Sequence, residues 1–373
     1  MKIMHLMPDY IGNKIFKKTI ELLANKENSQ IVIIPIAYNS KNYRKYNDLI
    51  KNTSIKYLKC YYQIDRLLFI TKRNKIYKRI QKEITFQSID IIHAHLLVSM
   101  GSIAYEAFKK YSIPYIVSVR STDIYVFLKY GLFLRPYIKK ILENAKKIVF
   151  ISPVLKEKLL KYFNNEMKNI IEEKSIIIPN WLDNKWFLSN QKSILPNSPF
   201  KILFVGELNR NKNILKTISA IRQIRKTGYN IILGIVGEGP KFEKIKSMKE
   251  KWILCYGKID DENELINIYD NYNCLLVPSK RETFGMVYIE AMSRGLPIIY
   301  SRYQGIDGFF KNGEVGYSTD PNNINAIAES IKNVIRNYDW LSANVKEKAK
   351  QFNCGYVISN LYSVYQEIKN EKL

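Results

Sequence analysis

Short apolar runs recur along the chain, and each one ends at a polar or glycine-containing loop. The runs lie within residues 2–7, 31–36, 89–95, 114–123, 145–155, 176–183, 201–205 and 231–236. Helical patterns separate several of these runs, as at residues 14–25. Because strands that alternate with helices pair in parallel, the pattern predicts an α/β protein with doubly wound, Rossmann-like parallel sheets.

A polar stretch at residues 188–199, LSNQKSILPNSP, interrupts this pattern, which then starts again. Such a composition is typical of a linker. The chain has 373 residues, a length that suits two domains of ordinary size. We therefore predict an N-terminal domain over residues 1–187 and a C-terminal domain over residues 200–356.

One stretch of the C-terminal domain predicts a strand, a turn and a helix that begins at a glycine. An apolar run at residues 274–278 precedes Phe284 and Gly285, and a helical pattern then continues to Gly295. The first amides of a helix carry unpaired N–H groups and the positive end of its dipole, so they favour a phosphate group. Gly285 has no side chain to block a ligand's approach.

Two carboxylates, Glu282 and Glu290, bracket the start of this helix. An ionised carboxylate accepts hydrogen bonds through two oxygens and therefore suits a pair of neighbouring hydroxyl groups. A nucleotide sugar carries such hydroxyls on both sides of a diphosphate. The alternative is that Glu290 pairs with Arg294 one helical turn later and that Glu282 is a solvated loop residue.

The segment ETFGMVYIEAMSRGLPII, with seven residues between Glu282 and Glu290, resembles the donor-site signature of glycosyltransferase family 4. The resemblance implies a retaining enzyme of the GT-B fold, in which two Rossmann-like domains face each other across a cleft. It implies that Glu290 holds the ribose and that Glu282 contacts the transferred sugar. It also implies a C-terminal helix, about residues 357–373, that returns to the first domain. The amides implied to bind phosphate are those of Phe284, Gly285, Met286 and Val287.

Other positions of the C-terminal domain match the same family. Lys212, in the loop GELNRNKN, matches a lysine that neutralises donor phosphate. The usual arginine after Gly206 is replaced by Glu207, and we expect Arg210 to supply the missing charge. The remaining donor-binding candidates follow later strands: Gly237, Gly257 and Lys258.

In the N-terminal domain, the resemblance places acceptor-side residues in loops that follow strands. The candidates are Gly12 in the first loop, His95 and Asp123. Arg120 stands where family members often carry a histidine. An arginine cannot act as a base, so we expect it to stabilise the departing diphosphate or to bind an anionic group. The alternative is a local pair between Arg120 and Asp123.

The net charge of +25 is concentrated in the first half of the chain. Residues 1–190 contain 33 lysines and arginines against 15 acidic residues, and the remainder contains 26 against 19. Such a surplus favours an anionic partner. A phospholipid surface, a pyrophosphate-linked acceptor and nucleic acid all fit; we expect the first two and no nucleic acid. The alternative is that surface lysines have accumulated without a partner.

Residues 56–84 combine this charge with an amphipathic pattern, YLKCYYQIDRLLFITKRNKIYKRIQKEI. A basic amphipathic helix can lie on an anionic membrane. We favour the reading in which its apolar side packs against the sheet and its basic face is exposed, with membrane contact as an addition.

Metal and disulfide chemistry is not indicated. The four cysteines lack metal-type spacing and are expected to be free, buried thiols of a cytoplasmic protein. His93 and His95 share one face of a strand, but a metal site needs a third ligand and His5 is the one remaining histidine, so no metal site is expected. The chain also lacks an apolar run of membrane-spanning length.

Together these features predict a cytoplasmic enzyme, peripheral on the inner face of the cell membrane. It would move a sugar from a nucleotide diphosphate sugar to a hydroxyl of a glycan or lipid-linked acceptor in bacterial surface-polysaccharide synthesis, without a cofactor or metal. The alternatives are a nucleotide-sugar epimerase on a similar fold and a non-catalytic, basic polyanion-binding protein.

Overall fold

The structure, a computed structural model, describes residues 1–8, 14–26, 28–40, 50–188 and 199–371. The predicted site residue Gly12 and most of the predicted linker lie outside these residues. By its internal contacts the chain divides into two compact units. Unit 1 contains residues 1–151, 155–178 and 358–373, and unit 2 contains residues 152–154 and 179–357.

Unit 1 is built on a seven-stranded parallel sheet with the order β3-β2-β1-β4-β5-β6-β7. Its strands are β1 (Lys2–Leu6), β2 (Ser29–Ala37), β3 (Thr53–Tyr61), β4 (Ile91–Ala94), β5 (Tyr115–Val119), β6 (Lys147–Phe150) and β7 (Ser175–Ile177). Its helices are α1 (Lys14–Ala24), α2 (Phe69–Glu83), α3 (Gly101–Tyr111), α4 (Arg135–Asn144), α5 (Pro153–Leu160) and α6 (Asn165–Lys174).

Unit 2 repeats this architecture on a six-stranded parallel sheet with the order β10-β9-β8-β11-β12-β13. Its strands are β8 (Phe200–Val205), β9 (Ile231–Val236), β10 (Ile253–Gly257), β11 (Cys274–Leu276), β12 (Ile298–Ser301) and β13 (Gly316–Thr319). The helices are α7 (Ile214–Arg225), α8 (Phe242–Lys246), α9 (Glu262–Asp270), α10 (Met286–Ser293), α11 (Ile324–Arg336), α12 (Tyr338–Ala349) and α13 (Cys354–Asn370), of which the last runs into unit 1.

The two strand orders confirm the predicted pair of doubly wound parallel sheets. In both sheets the order reverses beside the first strand of the unit, β1 or β8, and ligands in such folds bind where the strands end at that reversal. The central strands are apolar and buried along their length because helices cover both faces of a parallel sheet. The carboxyl ends of these strands therefore carry the candidate site residues.

Two sequence boundaries are corrected by the structure. Unit 2 begins at residue 179 rather than after a linker at 188–199, because Leu182 pairs with Asn353 and its amide donates to the carbonyl oxygen of Phe352 at 2.9 Å. The basic stretch 56–84 is not one helix: residues 56–61 complete β3, and the helix α2 begins at Phe69.

The expected packing of α2 is confirmed, since Ile76 and Ile80 are buried. All four cysteines are free thiols; Cys60, Cys274 and Cys354 are buried as expected, but Cys255 is exposed. Among the described residues, no helix combines the length and apolar content needed to cross a membrane.

Candidate functional site

The helix α10 begins at the glycine that the sequence singled out. Gly285 adopts a φ of +86°, and a Cβ atom built on it would lie 2.4 Å from the ring of Tyr288. Only glycine meets both conditions without strain. The next backbone groups, at Met286 and Val287, lie in the first turn, where an α-helix provides no acceptor for its amides. This end of α10 is suited to bind an anion.

Lys212 and Glu282 form an ion pair in front of this helix. The Lys212 Nζ atom lies 2.6 Å from Glu282 Oε2, and the two side chains are 22% and 13% exposed. The carboxylate also accepts hydrogen bonds from the Ser279 hydroxyl at 3.4 Å and the Thr283 amide at 3.1 Å. Both charged groups keep access to solvent, so a ligand can contact either one or take the place of one partner in the ion pair.

The loop that carries Lys212 is fastened to the loop that carries Glu282. Asn209 Oδ1 accepts hydrogen bonds from the amides of Asn211 and Lys212, both at 2.9 Å. The Asn211 side chain in turn donates to the carbonyl oxygen of Arg281 at 2.9 Å and accepts from the Arg281 amide at 3.0 Å. These local bonds hold the ammonium group beside the carboxylate.

Glu290 lies on α10, where Tyr269 of α9 holds its carboxylate. The Tyr269 hydroxyl donates to Glu290 Oε2 at 2.8 Å, and Tyr269 itself is fully buried. Burial raises the pKa of Glu290 to about 7, while the Tyr269 hydrogen bond and the charge of Lys212 oppose this rise. Glu290 still exposes part of its surface. It is therefore a carboxylate that a hydroxyl-bearing ligand would help to ionise.

The alternative pairing of Glu290 with Arg294 is wrong. Arg294 instead forms two hydrogen bonds of 2.7 Å with the carboxylate of Asp270. Its guanidinium also donates to the carbonyl oxygens of Trp186 and Leu188 at 3.0 and 2.7 Å. Arg294 thus anchors residues near the start of unit 2, and the Glu290 carboxylate bonds to Tyr269 instead.

Three glycines bring the ends of neighbouring strands into close contact. The Gly206 amide donates to the carbonyl oxygen of Val236 at 3.0 Å, and the Gly237 amide donates to that of Gly257 at 2.7 Å. A Cβ atom at Gly237 would lie 2.1 Å from the Gly206 oxygen. The three glycines adopt positive φ angles of +148°, +130° and +72°. They form a backbone surface at this sheet edge, beside the Lys212 stem, which lies 3.6 Å from a Cβ built on Gly206.

Two predicted basic residues are at the periphery of this site. Arg210 is exposed in the same loop as Lys212. Lys258 is 62% exposed and pairs with Asp260 at 2.6 Å, a contact that raises the pKa of Lys258. An exposed pair of this kind contributes little to stability, so Lys258 can exchange Asp260 for a ligand at little cost.

In unit 1, Asp123 is a structural residue. Its side chain is fully buried, and its carboxylate accepts hydrogen bonds from the amides of Val98 at 2.9 Å, Arg120 at 2.9 Å and Leu97 at 3.2 Å. Burial raises the pKa of Asp123 to about 6 in spite of these three bonds. The carboxylate ties the loop after β4 to the loop after β5, so we revise its predicted contact with an acceptor.

Arg120 lies at the end of β5 with its guanidinium 5.3 Å from the centre of the Phe16 ring. The alternative of a local pair with Asp123 holds for the Arg120 backbone amide, which donates to that carboxylate. The positive charge of Arg120 is nevertheless close enough to lower the pKa values of His93 and His95. Arg120 thus provides positive charge at this sheet edge.

The expectation that His93 and His95 would lack a third histidine is wrong. β1 and β4 are neighbours with His5 opposite His93, and one ligand nitrogen from each of the three histidines lies within 4.8 Å of the others. His5 Nδ1 and His95 Nε2 share a hydrogen bond of 3.1 Å, while the His93 ring bonds to the hydroxyls of Tyr365 and Ser118 at 2.6 and 2.8 Å. Burial lowers all three pKa values, that of His5 to about 3, so the rings are neutral.

Sequence reasoning missed the residues that hold the site in shape. Tyr269, Asn209 and Asn211 position Glu290 and Lys212, yet none of them was among the predicted site residues. Tyr269 has the sequence signature of an ordinary core residue of an amphipathic helix. The asparagines could have been found, because asparagine often bonds to the backbone two or three residues ahead in a turn.

Two family models match consecutive parts of the chain. The model described as Glycosyltransferase Family 4 matches residues 30–186, and that described as Glycosyl transferases group 1 matches residues 187–352. Together with the two doubly wound sheets, they define a glycosyltransferase of the GT-B fold. The chain belongs to glycosyltransferase family 4.

Known proteins agree with this assignment. The chain is 27% identical over 341 residues to an uncharacterized glycosyltransferase of Methanocaldococcus jannaschii, a match that covers 90% of each chain. It is 27% identical over 259 residues to the capsular polysaccharide biosynthesis glycosyltransferase CapM of Staphylococcus aureus, covering 66% of each. Among solved structures, Anabaena HepE in complex with UDP-glucose has a TM-score of 0.65 at 15% identity and covers 98% of this chain and 100% of that chain, which shows a shared fold.

Proposed function

We propose that the protein transfers a sugar from a nucleotide diphosphate sugar to a hydroxyl of a glycan or lipid-linked acceptor, with retention of configuration and without a metal ion. The observation that carries this proposal is the ion pair of Lys212 and Glu282 in front of α10, next to the partly accessible Glu290. We further propose that the reaction belongs to bacterial surface-polysaccharide synthesis and takes place in the cytoplasm. The name of the similar S. aureus protein supports that setting.

Each group of the donor has a complementary group in unit 2. The ribose hydroxyls would donate to Glu290, and the hydroxyls of the transferred sugar would donate to Glu282. The diphosphate would accept hydrogen bonds from the first amides of α10 and from Lys212, with Arg210 as a further charge. The glycine surface at residues 206, 237 and 257 lets the donor approach the backbone, and Lys258 would contact the nucleotide from its edge. That HepE binds UDP-glucose on the same fold supports this class of donor.

The chemistry needs no general base from the protein. The bond between the sugar C1 and the phosphate oxygen breaks, and the acceptor oxygen forms a new bond to C1 on the same face. The acceptor proton passes to the leaving phosphate oxygen. Negative charge grows on that phosphate as the bond breaks, and Lys212 and the α10 amides are already oriented to stabilise it. In unit 1 we propose that Arg120 binds an anionic group of a substrate.

The proposal is tested by donor binding followed by turnover. UDP, GDP and ADP, and their sugars, are compared by the rise in melting temperature that each produces, and transfer or hydrolysis is then measured with the best binder. We expect one nucleotide sugar to raise the melting temperature of the wild-type protein. In Glu290→Ala this rise should disappear, and kcat/KM should fall by at least about 100-fold, since hydrogen bonds to a charged group are lost. The matched control is Glu243→Ala, on the exposed surface of α8.

Two results would contradict the proposal. If Glu290→Ala transferred sugar at the wild-type rate, the ribose site would be misassigned. If no nucleotide stabilised the wild-type protein while polyanions bound it, the non-catalytic alternative would replace it.

A further inference from the structure

Unit 1 exposes large apolar side chains in two segments. In residues 62–70, Ile64, Leu68 and Ile70 are 68%, 60% and 58% exposed. In residues 125–133, Tyr130, Leu132 and Phe133 are 69%, 61% and 76% exposed. We refer to these six side chains as the apolar rim. Single exposed apolar residues are ordinary, but a group of them on one surface indicates an interaction site.

The two segments of the apolar rim are neighbours. The ring of Phe69, at the start of α2, lies 6.2 Å from that of Phe127 in an edge-to-face arrangement. Phe69 also lies 6.5 Å from the ring of Tyr137 on α4. These three partly exposed aromatic residues connect the two segments, so we treat the exposed side chains on either side as one patch.

The apolar rim lies at the edge of the sheet where the candidate acceptor residues are found. Its first segment follows the carboxyl end of β3, and its second begins five residues after Arg120, which follows the carboxyl end of β5. In a parallel sheet all carboxyl ends line one edge. The buried carboxylate of Asp123, two residues before the second segment, bonds to amides of the loop after β4. The patch is therefore built onto the acceptor edge of unit 1.

Basic residues lie within and next to both segments of the apolar rim. The helix α2 has one acidic residue, Glu83, against Lys72, Arg73, Lys75, Lys78, Arg79 and Lys82. The stretch 125–140 contains Lys129, Arg135, Lys139 and Lys140 and no acidic residue. Four of these basic groups are paired within the protein: Arg73 with Glu106, Lys75 with Asp65, Arg79 with Glu83 and Lys139 with Glu143. The surplus is positive, and it complements an anionic surface.

The combination of charge and apolar tips selects among anionic partners. Nucleic acid and other soluble polyanions would contact the lysines but would leave Ile64, Leu132 and Phe133 in water. A phospholipid surface satisfies both, because apolar tips enter the boundary of the acyl chains while lysines reach the headgroups.

We propose that the apolar rim docks the protein on an anionic phospholipid surface and so presents the acceptor edge of unit 1 to a lipid-linked acceptor. This inference deepens the proposed function. The two fail separately, because vesicle binding is measured without a sugar donor and donor binding is measured without vesicles.

The test is sedimentation of the full chain with vesicles of phosphatidylglycerol and phosphatidylcholine, compared with vesicles of phosphatidylcholine alone. We expect the wild-type protein to bind the anionic vesicles and to prefer them over the neutral ones. The double variant Leu132→Ser/Phe133→Ser is expected to lose at least about tenfold in partition coefficient, because two apolar side chains no longer leave water. The matched control is Trp340→Ser, a 65% exposed aromatic residue of unit 2, which should bind as the wild type does.

A second pair of variants tests the charge. Lys78→Ala/Lys82→Ala on α2 should weaken binding to anionic vesicles and reduce its salt dependence. The matched control, Lys244→Ala/Lys246→Ala on α8, removes the same charge from unit 2 and should not. Should Leu132→Ser/Phe133→Ser lower the melting temperature, Ile64→Ser/Ile70→Ser removes the other half of the rim for the same comparison.

The proposal is overturned if the folded rim variants bind anionic vesicles as tightly as the wild type. It is equally overturned if the wild-type protein does not distinguish anionic from neutral vesicles. A third contrary result is that heparin displaces the protein from vesicles and that the rim variants bind heparin as tightly as the wild type does.

Discussion

The carboxyl edges of the two sheets carry similar residue types but use them differently. In unit 2, Glu282 is paired with Lys212, and both side chains remain in contact with solvent. In unit 1, Asp123 is fully buried and bonded to three backbone amides, and the three histidines are neutral and buried. Both edges follow the same strand–loop pattern, and both were expected to contact substrate.

The two edges differ in the contacts that a ligand would have to break in order to bind to each polar group. The Lys212–Glu282 pair is a contact between two charges that a phosphate and a sugar hydroxyl can replace. The bonds of Asp123 go to three backbone amides in the interior of unit 1, so breaking them would take a hydrogen-bond acceptor away from those amides. A polar residue at a sheet edge is therefore a candidate for binding when its partners are exchangeable and for structure when they are backbone.

The largest effect is expected at the exchangeable pair. Lys212→Ala should lower kcat/KM for sugar transfer by roughly 10²–10³-fold, because it removes a preorganised positive charge from the leaving phosphate. The free energy of unfolding should change by no more than about 1 kcal/mol, since the pair is partly exposed. Steady-state kinetics and urea unfolding measure the two. Lys226→Ala, an exposed lysine at the end of α7, is the control; equal losses in both variants would contradict the assignment of Lys212.

Asp123→Ala should have the opposite profile. Three buried amides lose their acceptor, so we expect the free energy of unfolding to fall by about 3 kcal/mol. The rise in melting temperature that a nucleotide sugar produces should be retained, because the donor groups lie in unit 2. The control is Asp260→Ala, whose side chain is 78% exposed. A variant that kept its stability but lost sugar transfer would show that Asp123 contacts a substrate after all.

The smallest effect concerns the pH dependence of donor binding. The pKa of Glu290 is about 7, and its ionised form accepts the ribose hydroxyls, so donor affinity should fall as the pH drops below 7. The Tyr269 hydrogen bond lowers this pKa. Tyr269→Phe should therefore move the midpoint upward by roughly one unit and weaken binding about fivefold at pH 7.

Calorimetric titration of the nucleotide sugar between pH 5.5 and pH 9 measures this midpoint, the pH limits being set about 1.5–2 units on either side of the expected pKa. Tyr256→Phe is the control for losing a tyrosine hydroxyl; it bonds to Tyr272 rather than to a carboxylate. An unchanged midpoint in Tyr269→Phe would mean that Glu290 does not govern donor binding.

Much of the fold could be predicted from the sequence because its signals are local. The strand β9 was predicted at its observed bounds, and β11, α10 and β12 follow in the order that the apolar run, Gly285 and Gly295 indicate. Glu282 and Glu290 were predicted from their positions around the start of α10, and Lys212 was predicted from the resemblance to glycosyltransferase family 4. The error at residues 56–61 arose because an apolar and basic pattern fits a strand end as well as a helix start.

By itself, the sequence determined two doubly wound sheets, the helix that begins after Gly285, and the charges around it, because each depends on neighbours within about ten residues of the chain. Tertiary structure alone decided that Arg294 pairs with Asp270 while Glu290 bonds to Tyr269. It also decided that the Asp123 carboxylate bonds to backbone amides and that His5 lies beside His93 and His95. It also brought residues 62–70 beside residues 125–133. Strand order and helix packing set these contacts, and no short-range pattern encodes which strand becomes whose neighbour.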